Sequence, residues 1–207
     1  MNKVSHIFLF INLGLYLISC NSLVVDNTSF SRIEIIGPDE IDISNQIQVY
    51  RDSINYKLDN VIGYSDNLYT KTDFNNINFN SSLGNLVADI IFIQSDSVFK
   101  KQENKQIDFV LQNHGGIRSS LLEGDIKLTD IYKILPFENE IVILELPGET
   151  VKEMISFLNQ EKNPHPFSGM SIKKNKNLIQ NRIIDYNKKY YLATNDYLLN
   201  GGDNMFF

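Results

Sequence analysis

Apolar residues recur at Ile43, Ile47, Tyr50, Ile54, Leu58 and Val61, a spacing of three or four that marks one face of a helix over Ile43–Asn60. Before it, the short apolar run Ile33-Glu34-Ile35-Ile36 ahead of Gly37-Pro38 predicts a first strand. After it, Val61–Thr70 reads as a strand and the Asn-rich stretch Asp73–Asn80 as a polar loop. Ser81 or Ser82 is placed to cap a helix carrying Leu83, Leu86, Val87, Ile90, Ile91 and Ile93. So much of that circumference is apolar that the helix should be deeply buried. Ile107–Leu111 and Glu140–Leu146 predict strands, and Gly148-Glu149-Thr150 opens a helix with Val151, Met154, Ile155 and Leu158 on one face. Strands at Ser171–Lys173, Arg182–Tyr186 and Tyr190–Thr194 follow the loop marked by Pro164 and Pro166. Mixed strands and helices of this kind predict an α/β or α+β domain, with no internal repeat and no linker that splits it.

The N-terminus reads differently. Lys3 precedes an apolar run from Ile7 to Ile18, broken only by Asn12 and Gly14, and the run ends Leu17-Ile18-Ser19-Cys20. A dozen apolar residues fall short of the roughly 20 that span a bilayer, which favours a cleaved secretory signal. Leu, then a small residue, then Cys resembles the bacterial lipobox, in which the cysteine thiol is acylated. Residues 1–19 are therefore expected to be a lipoprotein signal peptide, Cys20 the lipid attachment site, 20–32 a tether and 33–207 the folded domain. The expected location is the cell envelope, anchored by lipid to a membrane face.

Composition narrows the chemistry. The 207 residues carry 19 Lys plus Arg against 25 Asp plus Glu, a formal net charge of −6, with a sequence pI near 5.1. No basic footprint for a nucleic acid polymer is present. Cys20 is the one cysteine, so neither an intrachain disulfide nor a cysteine metal cluster forms. The three histidines are His6, inside the signal, His114 and His165.

Three segments carry candidate chemistry. Asn113-His114-Gly115-Gly116-Ile117-Arg118 follows a predicted strand; its glycines allow close backbone approach, and Arg118 offers a fork for phosphate-like oxygens. The same loop also reads as a tight turn whose arginine sits in solvent or pairs with an acid such as Asp125. Leu135-Pro136-Phe137-Glu138-Asn139 presents an aromatic ring that is ordinarily a packing residue. Asn195-Asp196-Tyr197-Leu198-Leu199-Asn200-Gly201-Gly202-Asp203 is either a hairpin turn or a third polar loop. Together they supply two rings, amides, one arginine and one carboxylate, the parts for stacking and edge-reading a flat heterocycle.

These motifs, with Leu83-Gly84-Asn85-Leu86-Val87-Ala88-Asp89 before them, resemble the C-terminal, substrate-binding domain of the 5′-nucleotidase family. Gly124-Asp125-Ile126, Val142–Gly148 and Ser168-Gly169 are also similar. The resemblance implies mixed sheets with packed helices and a pocket in which a nucleoside base lies between Phe137 and Tyr197. Tyr197 stands where the family usually has phenylalanine. Asn139 is implied at the base edge, Asp203 at the ribose hydroxyls, Asn113 and Arg118 as polar contacts, and Gly169 as a backbone contact. A family arginine before the Leu-Gly-Asn-Leu helix has no counterpart in Ile77–Ser82.

In the full-length family, hydrolysis belongs to a separate metallophosphatase domain with two metal ions. Neither Asp-x-His nor Gly-Asn-His-Glu occurs here, so no metal ligands or catalytic residues are assigned, and divalent metals are expected only in a partner. The expected function is recognition of a nucleoside or nucleotide ligand and its delivery to a metallophosphatase on another chain. A non-catalytic nucleoside-binding envelope lipoprotein is the alternative. A truncated relative is a third reading, since the sequence stops four residues after Asp203.

Overall fold

A computed structural model of the chain describes residues 41–72, 81–161, 163–173 and 176–206, together with 31, 33 and 37. The signal, Cys20, nearly all of the tether, the expected strand Ile33–Ile36 and the Asn-rich loop lie wholly or largely outside the described residues. Packing divides the chain into Met1–Ser44 and Asn45–Phe207, and the second unit holds the elements below except the first turn of the first helix. Among the described residues, no helix is long and apolar enough to cross a membrane.

Helix α1 (Ile41–Leu58) forms close to the predicted limits, with Asp42 in its first turn and Lys57 in its last, both complementing the helix dipole. None of its residues is buried: Ile43, Ile47, Tyr50 and Ile54 are all exposed. Periodicity predicts the helix correctly, but that apolar face has no buried position here. Strand β1 (Val61–Ser65) is shorter than predicted and pairs antiparallel with β3 (Gly124–Lys127) in a two-stranded ribbon. The backbone then re-forms a single bridge, in which Tyr69 and Leu121 exchange hydrogen bonds of 2.9 and 3.0 Å.

Helix α2 (Ser82–Glu103) starts at Ser81, whose hydroxyl accepts from Gly84 N at 3.1 Å, and ends at Asn104 in the left-handed region. It runs ten residues past the predicted Ile93, and the expectation of deep burial is corrected: Ile90 is 51% and Ile93 63% exposed. Only the face carrying Leu83, Val87 and Ala88 meets the core.

The central sheet has the order β4-β9-β2-β5, from β4 (Ile141–Pro147), β9 (Lys189–Asn195), β2 (Phe109–Leu111) and β5 (Phe167–Ser168). β9 lies parallel to β2 and antiparallel to β4, with Ile141 opposite Asn195 and Pro147 opposite Lys189. The side-chain period of two sorts this sheet between two layers. Val110, Ala193 and Ile143 cluster with Ala88, Ile91 and Phe92 of α2. Phe109, Leu111, Leu192, Leu144 and Leu146 instead join Val151, Met154, Ile155 and Leu158 of α4 (Gly148–Leu158), the face predicted for that helix. Gly148 is required where α4 begins, because a Cβ there would lie 2.5 Å from the Tyr186 carbonyl oxygen.

Three short pieces complete the unit. Helix α3 (Leu128–Ile134) buries only Ile134 and has no apolar period to announce it. Strands β6 (Met170–Ser171), β7 (Leu178–Ile179) and β8 (Arg182–Ile183) form a small antiparallel sheet, tighter than the predicted Ser171–Lys173 and Arg182–Tyr186. Its β7–β8 turn places Gln180 and Asn181 at positive φ, the conformation of a two-residue hairpin loop. Helix α5 (Asp196–Leu199) follows β9 directly.

Candidate functional site

Three loops at the ends of β2, α3 and β9 converge. The first leaves β2 at Gln112 and makes a single turn over His114–Gly116. Asn113 folds over that turn so closely that a Cβ at Gly116 would sit 2.9 Å from its Oδ1. Four long-range bonds hold the loop. Gln112 N donates to Pro166 O at 2.7 Å, His114 N to His165 Nδ1 at 3.3 Å, Arg118 N to Ile134 O at 2.8 Å, and the Lys71 ammonium to Ile117 O at 2.5 Å. The Arg118 guanidinium reaches back to Gly115 O at 3.2 Å. Lys71 therefore lies beside the arginine, and burial, then the Arg118 charge, pushes its pKa below the ordinary lysine value.

The second loop carries Phe137, which is 55% exposed although it is one of the larger apolar rings. It is tied to the third loop by two bonds, Glu140 N to Asp196 Oδ1 at 3.2 Å and Asp196 N to Glu140 O at 3.0 Å.

The third loop is built around Asn195. Its Oδ1 caps α5 by accepting from Leu198 N at 2.9 Å, so its amide nitrogen is the end left to donate. That nitrogen donates to Gln112 Oε1 at 3.0 Å and to Asn113 Oδ1 at 2.9 Å. One buried asparagine thus fixes which way two neighbouring amides point, leaving the NH₂ ends of Gln112 and Asn113 for other partners. Past α5, Gly201 takes φ 83° and Asp203 φ 51°, a left-handed conformation rare outside glycine. The Tyr197 ring covers Gly202 so closely that a Cβ there would clash with it. Beneath Asp203 lies buried His165, its Nδ1 3.9 Å from Asp203 Oδ2. Burial lowers the His165 pKa against the opposing pull of Asp203. His114 is lowered as well, first by burial and then by the Lys71 charge.

Asn113, Gly115, Arg118, Phe137, Asn139, Tyr197 and Asp203 line one cleft of about 340 Å³. Six of the seven binding residues expected from the sequence share it. The seventh, Gly169, does not line it: at φ 76° it joins β5 to β6, and a Cβ there would meet Asp108 O at 2.6 Å, so crowding accounts for the glycine. Sequence reasoning gives no role to Lys71, Gln112, His165 or Asn195. The one local signal is an asparagine directly before a helical turn, at Asn195.

The cleft offers two exposed rings, amide donors and acceptors, one guanidinium and one carboxylate. This donor set suits a polar organic ligand with a flat ring; a hard divalent cation wants several oxygen ligands. Among the described residues no group of three or more His, Cys, Asp or Glu could hold a metal ion.

Residues 61–207 match the family described as 5′-nucleotidase, C-terminal domain. The chain is 31% identical over 112 residues to Protein UshA of Yersinia enterocolitica, covering 50% of this chain and 20% of that protein. It is 27% identical over 125 residues to the NAD 5′-nucleotidase of Haemophilus influenzae, covering 49% of this chain and 21% of the other. The matched region thus spans about a fifth of the length of these relatives. Among solved structures, a 5′-nucleotidase precursor from Thermus thermophilus shares the fold with a TM-score of 0.61 at 20% identity, over 81% of this chain and 36% of that one.

Proposed function

Because the chain belongs to the 5′-nucleotidase C-terminal domain family, we propose that its cleft is a nucleoside or nucleotide recognition site. The observation that carries this reading is the meeting of Phe137 and Tyr197, 55% and 43% exposed, in one cleft with Asn139, Arg118, Asn113 and Asp203. Large rings left in water at a concave surface lose the burial that would ordinarily stabilise them, and a base stacked between them restores it.

Each side chain then has a role. Phe137 and Tyr197 stack the base and Asn139 pairs with its edge. Asp203 accepts from the ribose hydroxyls, and its left-handed backbone aims the carboxylate. Asn113, with its amide oxygen engaged by Asn195, turns its NH₂ group to the ligand, and Arg118 meets phosphate oxygens. Lys71, next to Arg118, adds a second positive charge beside that loop. Hydrolysis is assigned to a metallophosphatase that receives the ligand, with its divalent metals held by that partner. The metal ions of the family do not fit the cleft residues, so no step here runs through them.

Calorimetric titration of the full chain with adenosine, AMP and UDP-glucose tests the reading. Saturable binding that is lost in Phe137→Ala and Tyr197→Ala supports it; a folded chain that binds none of the three refutes it. Lipid attachment at Cys20 and residence in the cell envelope belong to the same proposal. Incorporation of labelled fatty acid that disappears in Cys20→Ser is the expected result.

A further inference from the structure

Asp203 stands between two spaces. One is the cleft that holds Phe137 and Tyr197; the other, of about 290 Å³, is lined by His114, Glu161 and His165, with Gly115 and Asp203 common to both. His165 is only 4% exposed, and the Phe157 ring of α4 packs on it with centroids 6.4 Å apart. Its Nδ1 accepts from His114 N at 3.3 Å. Its other bond, to the Gln112 backbone, favours the charged ring, so there the ring donates to a carbonyl. The two bonds together define a neutral imidazole with its proton on Nε2 and its lone pair on Nδ1. The same Nδ1 lies 3.9 Å from Asp203 Oδ2, while Asp203 Oδ1 accepts from the Tyr197 hydroxyl at 2.7 Å. The carboxylate oxygen that Tyr197 does not engage is thus the one facing His165. The charged groups around the ring are Asp203 and Glu161, which favour its protonated form, and His114, itself flanked by Lys71 and Asp203.

We propose that neutral His165 is the positioning residue of the nucleoside cleft: its lone pair holds the Asn113–Arg118 loop through His114 N and leaves Asp203 Oδ2 for the ribose, and protonation reverses both. A proton on Nδ1 sets two donors, Nδ1–H and His114 N–H, against each other, so the bond that anchors the loop is lost. The charged ring also attracts Oδ2, and an approach of about 1 Å brings the pair to the length of a charge-assisted hydrogen bond. An oxygen engaged there is withdrawn from a ligand hydroxyl. The neutral form therefore binds the ligand more tightly, and by linkage a bound ligand makes the ring harder to protonate. The ligand in this scheme rests on the nucleoside reading; the exchange of partners at Nδ1 does not.

NMR of the full chain between about pH 8 and 5, with and without adenosine, follows the His165 ring and the His114 and Asp203 amides. In the free chain both amide signals should move with the midpoint of the His165 ring. Saturating adenosine should carry that midpoint down by about one pH unit, the linkage partner of an affinity about tenfold lower for the protonated form. His165→Gln keeps an acceptor for His114 N and takes up no proton, so its adenosine affinity should lose most of the fall that wild type shows on acidification. A histidine that only filled space would produce neither result. A His165 midpoint that adenosine leaves in place, or a variant folded by circular dichroism whose affinity falls in parallel with wild type, overturns the proposal. The wild-type titration alone decides it if the variant does not fold. Adenosine that binds at no pH refutes the nucleoside cleft instead. The exchange at Nδ1 is then judged on the free chain, where amide signals of His114 and Asp203 that ignore the His165 titration refute it.

Discussion

The hydroxyl of Tyr197 donates to Asp203 Oδ1 at 2.7 Å and accepts the Asp203 backbone N–H at 3.2 Å. A side chain that usually only stacks is thereby also a clamp on a carboxylate whose backbone sits at φ 51°. A phenylalanine at this position offers the ring without the clamp.

Tyr197→Phe therefore keeps stacking and releases Asp203, and adenosine affinity should fall by about 1 kcal/mol or less, the net worth of an ordinary hydrogen bond. Tyr197→Ala removes the ring as well and should lose about 1–3 kcal/mol more. Donation to Asp203 also raises the phenol pKa above its ordinary value. A difference absorbance titration, wild type minus Tyr197→Phe, should show a phenol ionising later than a free tyrosine.

Phe137 separates binding from stability. More than half of it is in solvent, so Phe137→Ala should leave the urea midpoint nearly unchanged, within about 0.5 kcal/mol. The same change should weaken adenosine binding by about 1–3 kcal/mol through lost stacking. A large stability loss with binding intact would assign the ring to packing instead.

Asn195 predicts the opposite pattern. Asn195→Ala removes a helix cap and strands two buried amide oxygens, those of Gln112 and Asn113, and should destabilise the fold by about 2–4 kcal/mol in urea unfolding. Asn195→Asp restores the cap acceptor but turns a carboxylate oxygen toward the same two oxygens. It should rescue little of the loss.

Acidification should loosen the site. Burial holds His165 and His114 below the ordinary histidine value, so the unfolded chain binds those protons more readily than the folded one. Their stabilising contribution is complete above the unfolded pKa of about 6.5 and is lost as pH falls through the lowered folded values. The urea midpoint should be flat from about pH 8 to 7 and should fall below about 6.5. His165→Gln, whose amide oxygen can accept from His114 N, should make that fall shallower. Asp108, raised by burial, responds in the other direction, and since it is unchanged in that comparison the histidine effect is isolated.

The elements legible in the sequence are those whose burial writes a pattern. α4 shows an apolar residue every third or fourth position, and β2, β4 and β9 show short apolar runs because both faces of their sheet are covered, and the predicted limits fall near the observed ones. Helix α1 shows what a period leaves open: it specifies a helix and an apolar stripe, not a surface to cover the stripe. α3, β5 and β7 are hard to see because two to seven residues with few buried positions carry no period. The cleft follows the same division. Six of its lining residues sit in motifs that are readable along the chain. The residues that orient them do not, because Asn195 meets Gln112 and Asn113 across 83 and 82 positions, and His165 meets His114 across 51. Local sequence holds no record of such pairs.

That long-range pairing has a kinetic side. β9 enters the sheet between β4 and β2, joining Ala193 to Val110, and only then do Tyr197 and Asp203 come opposite Asn113 and Arg118. Closing so long a loop is slow compared with forming α2 or α4. A ligand gripped from both sides of that closure has nothing to hold in the early collapsed chain. Its stabilisation is felt after the folding barrier has been crossed, so it prolongs the life of the native state and leaves the speed of reaching it unchanged.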